Sequence, residues 1–244
     1  MLPADTAIAC ASALREAFQG RSVPKARIVA AQPGFVSAGG VDQQKREIAF
    51  IVPGPAVECS VGVAIAHFKS PLQDVVRAAQ AAEKRAKRPP ERGGLGRAAV
   101  AVTLMKRSGE IIEWGSTWES GGLELSSAIA EEMSGKGLSG KFPHRVVELL
   151  EPYLLSKTGL KPMTPAPNFD PAQAIATEFA HALGRQAEVS GEEKRTMIAR
   201  LSQSLDRYLN SLEDTKVPDV IGLCQTVAFA HRTRRGSQTQ EIQP

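Results

Sequence analysis

Four basic residues, Lys84, Arg85, Lys87 and Arg88, lie within one short stretch of this sequence, and Arg77 precedes them. Flexible positive charges at the end of a helix suit two tasks. They complement the negative end of the helix dipole, or they hold an anion such as a nucleotide phosphate or a nucleic-acid backbone. Helix physics alone favours a solvated, dipole-complementing face over an anion site. The other chemically capable residues are scattered. His67, His144, His181 and His231 have no ligand spacing, and His67, at the end of an apolar run, is expected to cap the core. Residues 1–124 show no paired Asp beside a strand end, so two-metal phosphoryl chemistry has no evident ligand set. Asp5, Asp42, Asp74 and Glu113 stand as isolated carboxylates, and Glu131 and Glu132 read as a surface pair. Gly93, Gly94 and Gly96 do not form a Walker loop, because no Gly-Lys-Ser/Thr follows and they precede a strand.

The elements that position the basic stretch are readable. Residues 59–66 (CSVGVAIA) offer apolar or small side chains to both faces, as a strand covered on both sides does. Ser60, Gly62, Ala64 and Ala66 share one side, which accepts a helix or a ligand at short range. Ser70, Pro71 and Gln73 then predict a helix start with a Ser cap and a capping-box partner. Leu72, Val75, Ala79, Ala82 and Ala86 form its apolar stripe, and Pro89-Pro90 stop it. Residues 98–105 and 111–118 predict two strands joined by a hairpin at 106–110. Trp114 and Trp118 fall on one side, as expected of a sheet face closing against a helix more than of a base-stacking platform.

Before this unit, residues 4–19 predict a helix with Ala7, Ala11, Leu14 and Phe18 on one face and Gly20 as its stop. Residues 21–45 read as a loop or insertion with one short strand at 26–30, and 46–52 as a short strand or a turn of helix. After residue 124 the pattern becomes helical, with helices expected at 126–133, 143–155, 171–183, 192–212 and 218–231. A Pro-rich crossing is expected at 160–167 and a frayed, disordered tail at 232–244. The expected division is an α/β piece over 1–124, a helical domain over 125–231, sizes compatible with separate cores, and the tail.

Composition narrows the class. The 244 residues are 42% hydrophobic and only 5% aromatic. Three widely spaced cysteines, Cys10, Cys59 and Cys224, argue for a reducing compartment and against a disulfide or zinc scaffold. With no long apolar run and no signal-peptide core, the expected location is cytoplasmic. Residues 59–97 hold eight Lys or Arg against three Asp or Glu, whereas residues 125–244 are balanced, so the basicity is one patch.

The run from Ser60 to His67, the Pro71-Leu72 helix start, the Ala86-Lys87 helix end and the Arg-Ser-Gly-Glu hairpin with Trp118 carry a resemblance. They resemble the second palm domain of the large subunit of type III CRISPR effector complexes, in its type III-B form. Met1-Leu2-Pro3 and the Ala-rich helix resemble the segment directly after that family's Gly-Gly-Asp-Asp hairpin. The likeness covers about residues 1–155, and the helical remainder only by order and composition. It implies an α+β fold: a partial ferredoxin-like nucleotidyl-cyclase palm followed by an all-helical domain.

The resemblance further implies that the complete protein joins ATP, with a divalent metal, into cyclic oligoadenylate on target-RNA binding, in antiviral defence. This chain has no Gly-Gly-Asp-Asp, and Gly39-Gly40-Val41-Asp42 lies in the expected insertion and does not replace it. The chain is therefore expected to be a C-terminal fragment, catalytically incomplete. By the resemblance Lys87 sits where such palms contact the triphosphate and Ser60 lines the nucleotide cleft, with Lys84, Arg85 and Arg88 as further nucleotide-binding candidates; no catalytic or metal-binding residue is implied. The implied partners are the small helical subunit and other subunits of the complex, with guide RNA and target RNA nearby, reached by residues such as Arg195 and Arg232. The alternatives are a stand-alone diguanylate-type (GGDEF-like) nucleotidyl cyclase, which the missing carboxylates oppose, and a non-enzymatic structural or RNA-backbone-binding protein.

Overall fold

The computed structural model describes residues 2–21, 27–32, 35–39, 48–153, 170–212 and 216–240. A short 3-10 turn leads into helix α1 (Ala7–Gln19), which stops at Gly20 in the left-handed region at φ 73°. Strands β1 (Arg27–Gln32), β2 (Phe35–Gly39) and β3 (Ile48–Ile51) follow as an antiparallel sheet in that order. The segment expected to be mostly loop therefore holds two strands, β1 and β2. Short stretches with Ser, Ala and Gly carry weak local preference, and cross-strand pairing decides their state. Gly40, Val41 and Asp42 of the Gly-Gly-Val-Asp stretch, and the Pro-rich crossing at 160–167, lie outside the described residues.

The main sheet is built from β4 (Val61–Ala66), β5 (Ala99–Met105) and β6 (Ile111–Thr117). β4 runs parallel to β5, with helix α2 (Leu72–Lys87) as the crossover, and β6 returns antiparallel through the hairpin. Lys106 N–H donates to the Glu110 carbonyl at 2.9 Å, and Gly109 takes φ 85° in the turn. α2 begins differently from expectation. Pro71 holds the cap position and no side chain caps the helix, so neither the Ser70 cap nor the Gln73 partner forms. The Ser70 N–H instead donates to the His67 carbonyl at 2.8 Å, closing the turn after β4. The Lys69 N–H donates to His67 Nδ1 at 3.2 Å, which fixes His67 at the strand end.

The two faces of this sheet differ in size. On one face Ala99 and Ala101 are fully buried against Ala82 and Ala86 of α2, with Leu95 packed beside them. Gly62 lies directly under the α2 backbone at Ala79 and Glu83, so close that a Cβ there would collide with main-chain atoms. The small side of β4 is thus occupied by a helix. On the other face Val100, Val102, Leu104, Trp114 and Trp118 are buried in a large apolar cluster.

That cluster is completed by α3 (Gly122–Ser134), α4 (Phe142–Leu150), α5 (Pro171–Gln186), α6 (Gly191–Ser211) and α7 (Lys216–Gln240). Asp170 caps α5 by accepting from the Ala172 N–H at 2.9 Å. Phe142 meets Phe179 edge to face at 5.2 Å, and Glu132 pairs with Arg200, joining α3 to α6. Glu132 is therefore an interhelix contact and not a free surface charge. The helices reach the sheet directly: the Tyr208 hydroxyl donates to the Gly115 carbonyl at 2.8 Å, and Gly222 of α7 lies against β6 at Glu113 and Trp114. The strands end where the composition changes, and one buried cluster runs across residue 124, joining the sheet to the helices. Helix α7 continues through residues expected to be a frayed tail, as far as Gln240.

Replacing Gly62 with Ala forces a methyl into the α2 backbone, and a loss of about 1–3 kcal/mol is expected. Urea unfolding of Gly62→Ala measures it, and an unchanged midpoint would contradict the packing. Tyr208→Phe removes a buried hydrogen bond and leaves the Gly115 carbonyl unpaired, with an expected cost of about 1–3 kcal/mol by the same method.

Candidate functional site

Because Gly62 sits beneath Ala79 and Glu83, α2 returns antiparallel to β4. The start of β4 and the last turn of α2 therefore share one end of the unit. Half-buried Ser60 precedes β4 there, and Lys84, Lys87 and Arg88 are exposed on α2 and its end. Lys87 pairs with Glu83 one turn earlier and remains about half exposed, so its ammonium is partly neutralised yet reachable.

Arg85 is different, and its place among the anion-binding candidates is corrected. Its guanidinium turns inward and donates to the Val102 carbonyl at 2.7 Å and the Trp114 carbonyl at 3.1 Å. It also pairs with Glu113, which accepts from the Thr103 hydroxyl at 3.3 Å. A planar fork with several donors suits this bridging of α2, β5 and β6. Glu113 is thereby committed too, which removes it as a metal ligand. The following glycine loop is likewise committed: the N–H groups of Leu95, Gly96 and Arg97 donate to the carbonyls of Arg85, Arg88 and Ala86 at 3.1, 2.8 and 2.9 Å. Those donors close the end of α2 and are not free to cradle a phosphate.

A groove of about 430 Å³ opens elsewhere, between α1, α3 and α7, over Ile65 and Trp118. Its charged lining is Asp5, Arg15, Glu16 and Glu124, so carboxylates outnumber cations, and Lys84, Lys87 and Arg88 take no part. This is an unsuitable bed for a polyphosphate. Arg15 donates through Nε to Glu58 Oε2 at 2.8 Å and lies 5.2 Å from the Trp118 ring centroid. Trp118 Nε1 donates to the Cys59 carbonyl at 2.7 Å. These contacts clamp α1 to the entry of β4. Sequence reasoning missed the clamp, because Arg15 and Glu58 are 43 positions apart and neither carries a local signal. Arg195, named for RNA contact, pairs with Glu192 at 3.2 Å on exposed surface, and Arg232 is exposed on α7.

Among the described residues, no group of three or more His, Cys, Asp and Glu is placed to hold a metal ion. The cysteines are free, and burial pushes the Cys224 thiol up to about 12, leaving it an inert core side chain. No helix of the described residues is long and apolar enough to cross a membrane.

No protein-family model matches this chain, and no curated protein matches it. The specific labels that came with the resemblance are corrected on that finding. CRISPR antiviral defence, RNA binding and cyclic oligoadenylate are carried to this chain by no matching family or protein, and they are not attributed to it.

Two outcomes test the assignments. Arg85→Ala is expected to cost about 2 kcal/mol, since it strips charge-assisted hydrogen bonds from two carbonyls, while Lys84→Ala and Arg88→Ala stay within about 0.5 kcal/mol. Equal effects at the three positions in urea unfolding would contradict the inward role of Arg85. The hydrogen bond from Arg15 holds the Glu58 carboxyl below its ordinary value, against the opposing effect of burial. Because the folded value lies below the unfolded one of about 4.3, the pair stabilises fully above that pH and fades as pH falls through the folded value. Wild type should lose stability more steeply than Glu58→Gln below about pH 4.5. Parallel profiles would show that the pair contributes nothing.

Proposed function

We propose that this chain is a palm-type module that binds a nucleotide polyphosphate and docks on protein without completing chemistry alone. The observation that supports the reading most is the β4–α2 unit, whose antiparallel return sets Ser60 and the exposed Lys84, Lys87 and Arg88 at one end. In this reading that end forms one wall of a cleft for a nucleotide polyphosphate. Lys87 supplies a mobile point charge, which reaches phosphate oxygens without planar geometry. The rest of the cleft, with any metal-holding carboxylates, comes from outside the residues described. The helical half, balanced in charge, supplies a protein-docking body in place of a nucleic-acid platform. The proposed working location is the cytoplasm, consistent with three free thiols.

Titration of the chain with ATP tests the cleft wall. Lys87→Ala is expected to weaken binding about tenfold, or about 1.4 kcal/mol, with Arg77→Ala unchanged. Equal affinity for wild type and Lys87→Ala would remove Lys87 from the site. Incubation with ATP and Mg²⁺ is expected to give no new nucleotide product by mass spectrometry; a product from homogeneous protein would overturn the non-catalytic reading.

A further inference from the structure

The groove between α1, α3 and α7 joins two unlike surfaces. Its depth is apolar, formed by Ile8, Ile65, Trp118, Leu123, Val227 and Ala230. Its rim is acidic. Asp5 lies in the turn before α1, Glu16 on α1 and Glu124 on α3, so the last two stand on opposite walls. All three carboxylates are exposed, and none pairs with a Lys or Arg among the described residues. Arg15, the one cation of the described lining, is held elsewhere: it pairs with Glu58 and lies over the Trp118 ring at 5.2 Å.

One buried polar group in the groove is unmet. Ser126 lines it and is only 7% exposed, yet among the described residues its hydroxyl has no hydrogen-bond partner. Thr226, which lines the same groove from α7, behaves in the ordinary helical way and donates to the Gly222 carbonyl at 2.9 Å. A buried hydroxyl without a protein partner is met by whatever occupies the space before it. The rim carboxylates are not grouped for a metal ion, since among the described residues no three His, Cys, Asp or Glu are placed to hold one. A bare ion would also gain nothing from Trp118 and Leu123. At about 430 Å³ the groove has the size of a small-molecule site.

We infer that this groove binds a small amphiphilic amine carrying a hydroxyl. The exposures order the ligand within it. Its apolar body seats on Ile65, Trp118, Leu123 and Val227, and its hydroxyl exchanges a hydrogen bond with buried Ser126. Its protonated nitrogen stays at the mouth between exposed Glu16 and Glu124, where it keeps part of its water. Three unpaired carboxylates select the sign of the ligand's charge, attracting a cation and repelling an anion of the same shape. Because α1 packs on β4 while α3 and α7 belong to the helical half, the bound amine braces one against the other. The groove shares no residue with the nucleotide cleft and does not depend on it.

The test titrates the isotope-labelled full chain, followed by NMR, with phenylbutylamine, phenylbutanol and phenylbutyrate, which share one apolar body and differ in charge. The amine is expected to shift the groove-lining amides of α1, α3 and α7 and the Trp118 indole N–H. It should bind about tenfold more tightly than phenylbutyrate, with phenylbutanol between them. The double variant Glu16→Gln, Glu124→Gln, at exposed positions, should bring the amine to the affinity of the alcohol and leave alcohol binding unchanged. The para-hydroxyphenyl form of the amine should bind wild type about threefold more tightly than phenylbutylamine, and Ser126→Ala no more tightly. No shift of the groove amides, equal affinity for amine and butyrate, or a charge preference that survives the double variant would overturn the site. A hydroxyl gain that persists in Ser126→Ala would overturn the place given to Ser126.

Discussion

Strand β5 sits at the centre of the structure, and its two unlike faces govern what packs where. Ala99 and Ala101 allow the α2 backbone to come close, while Val100, Val102 and Leu104 on the other face enter the large helical core. Small side chains admit short interlayer distances, and large ones give the area that stabilises a domain. Gly62 extends the close-packed face onto β4, and Trp114 extends the bulky face onto β6. The orientation of α2, and with it the position of every basic residue on that helix, is set by the first contact. The seating of the helical half is set by the second, reinforced by Tyr208 and Gly222 against β6.

This arrangement separates charges that look alike in sequence. Arg85 and Lys87 are two positions apart, yet one is directed into the sheet and the other toward solvent. A helix turns a two-residue step to nearly the opposite side, so a basic run necessarily divides between structural and available charges. The available ones, Lys84, Lys87 and Arg88, lie apart from the groove lined by Asp5, Glu16 and Glu124. Any ligand of the basic end must therefore be met on an open surface, which suits a site completed by another body.

Much of the scaffold was legible because its signals were local. The alternation in 59–66 and 98–105, the hairpin glycine and the apolar spacing of the later helices each specify an element within a few residues. The Trp114 and Trp118 face was readable as a core surface for the same reason. The Ser70 cap failed because Pro71 took the cap position, and β2 was overlooked because its stability comes from pairing and not from its own residues. The Arg15–Glu58 clamp, the inward turn of Arg85 and the single cluster across residue 124 are long-range facts. No window of sequence contains both partners of any of them. The Ser60 and Lys87 placement needed the crossover geometry, which the small residues of β4 suggested but did not orient.

The central claim is that sheet and helices are one cooperative body joined through the bulky face of β5 and β6. Native-state amide hydrogen exchange in increasing urea tests it most directly. The account predicts that the slowest amides of β5 and those of α5 and α6 converge on one opening free energy and one denaturant slope. Separate limiting free energies for the sheet and for the helical half would contradict it.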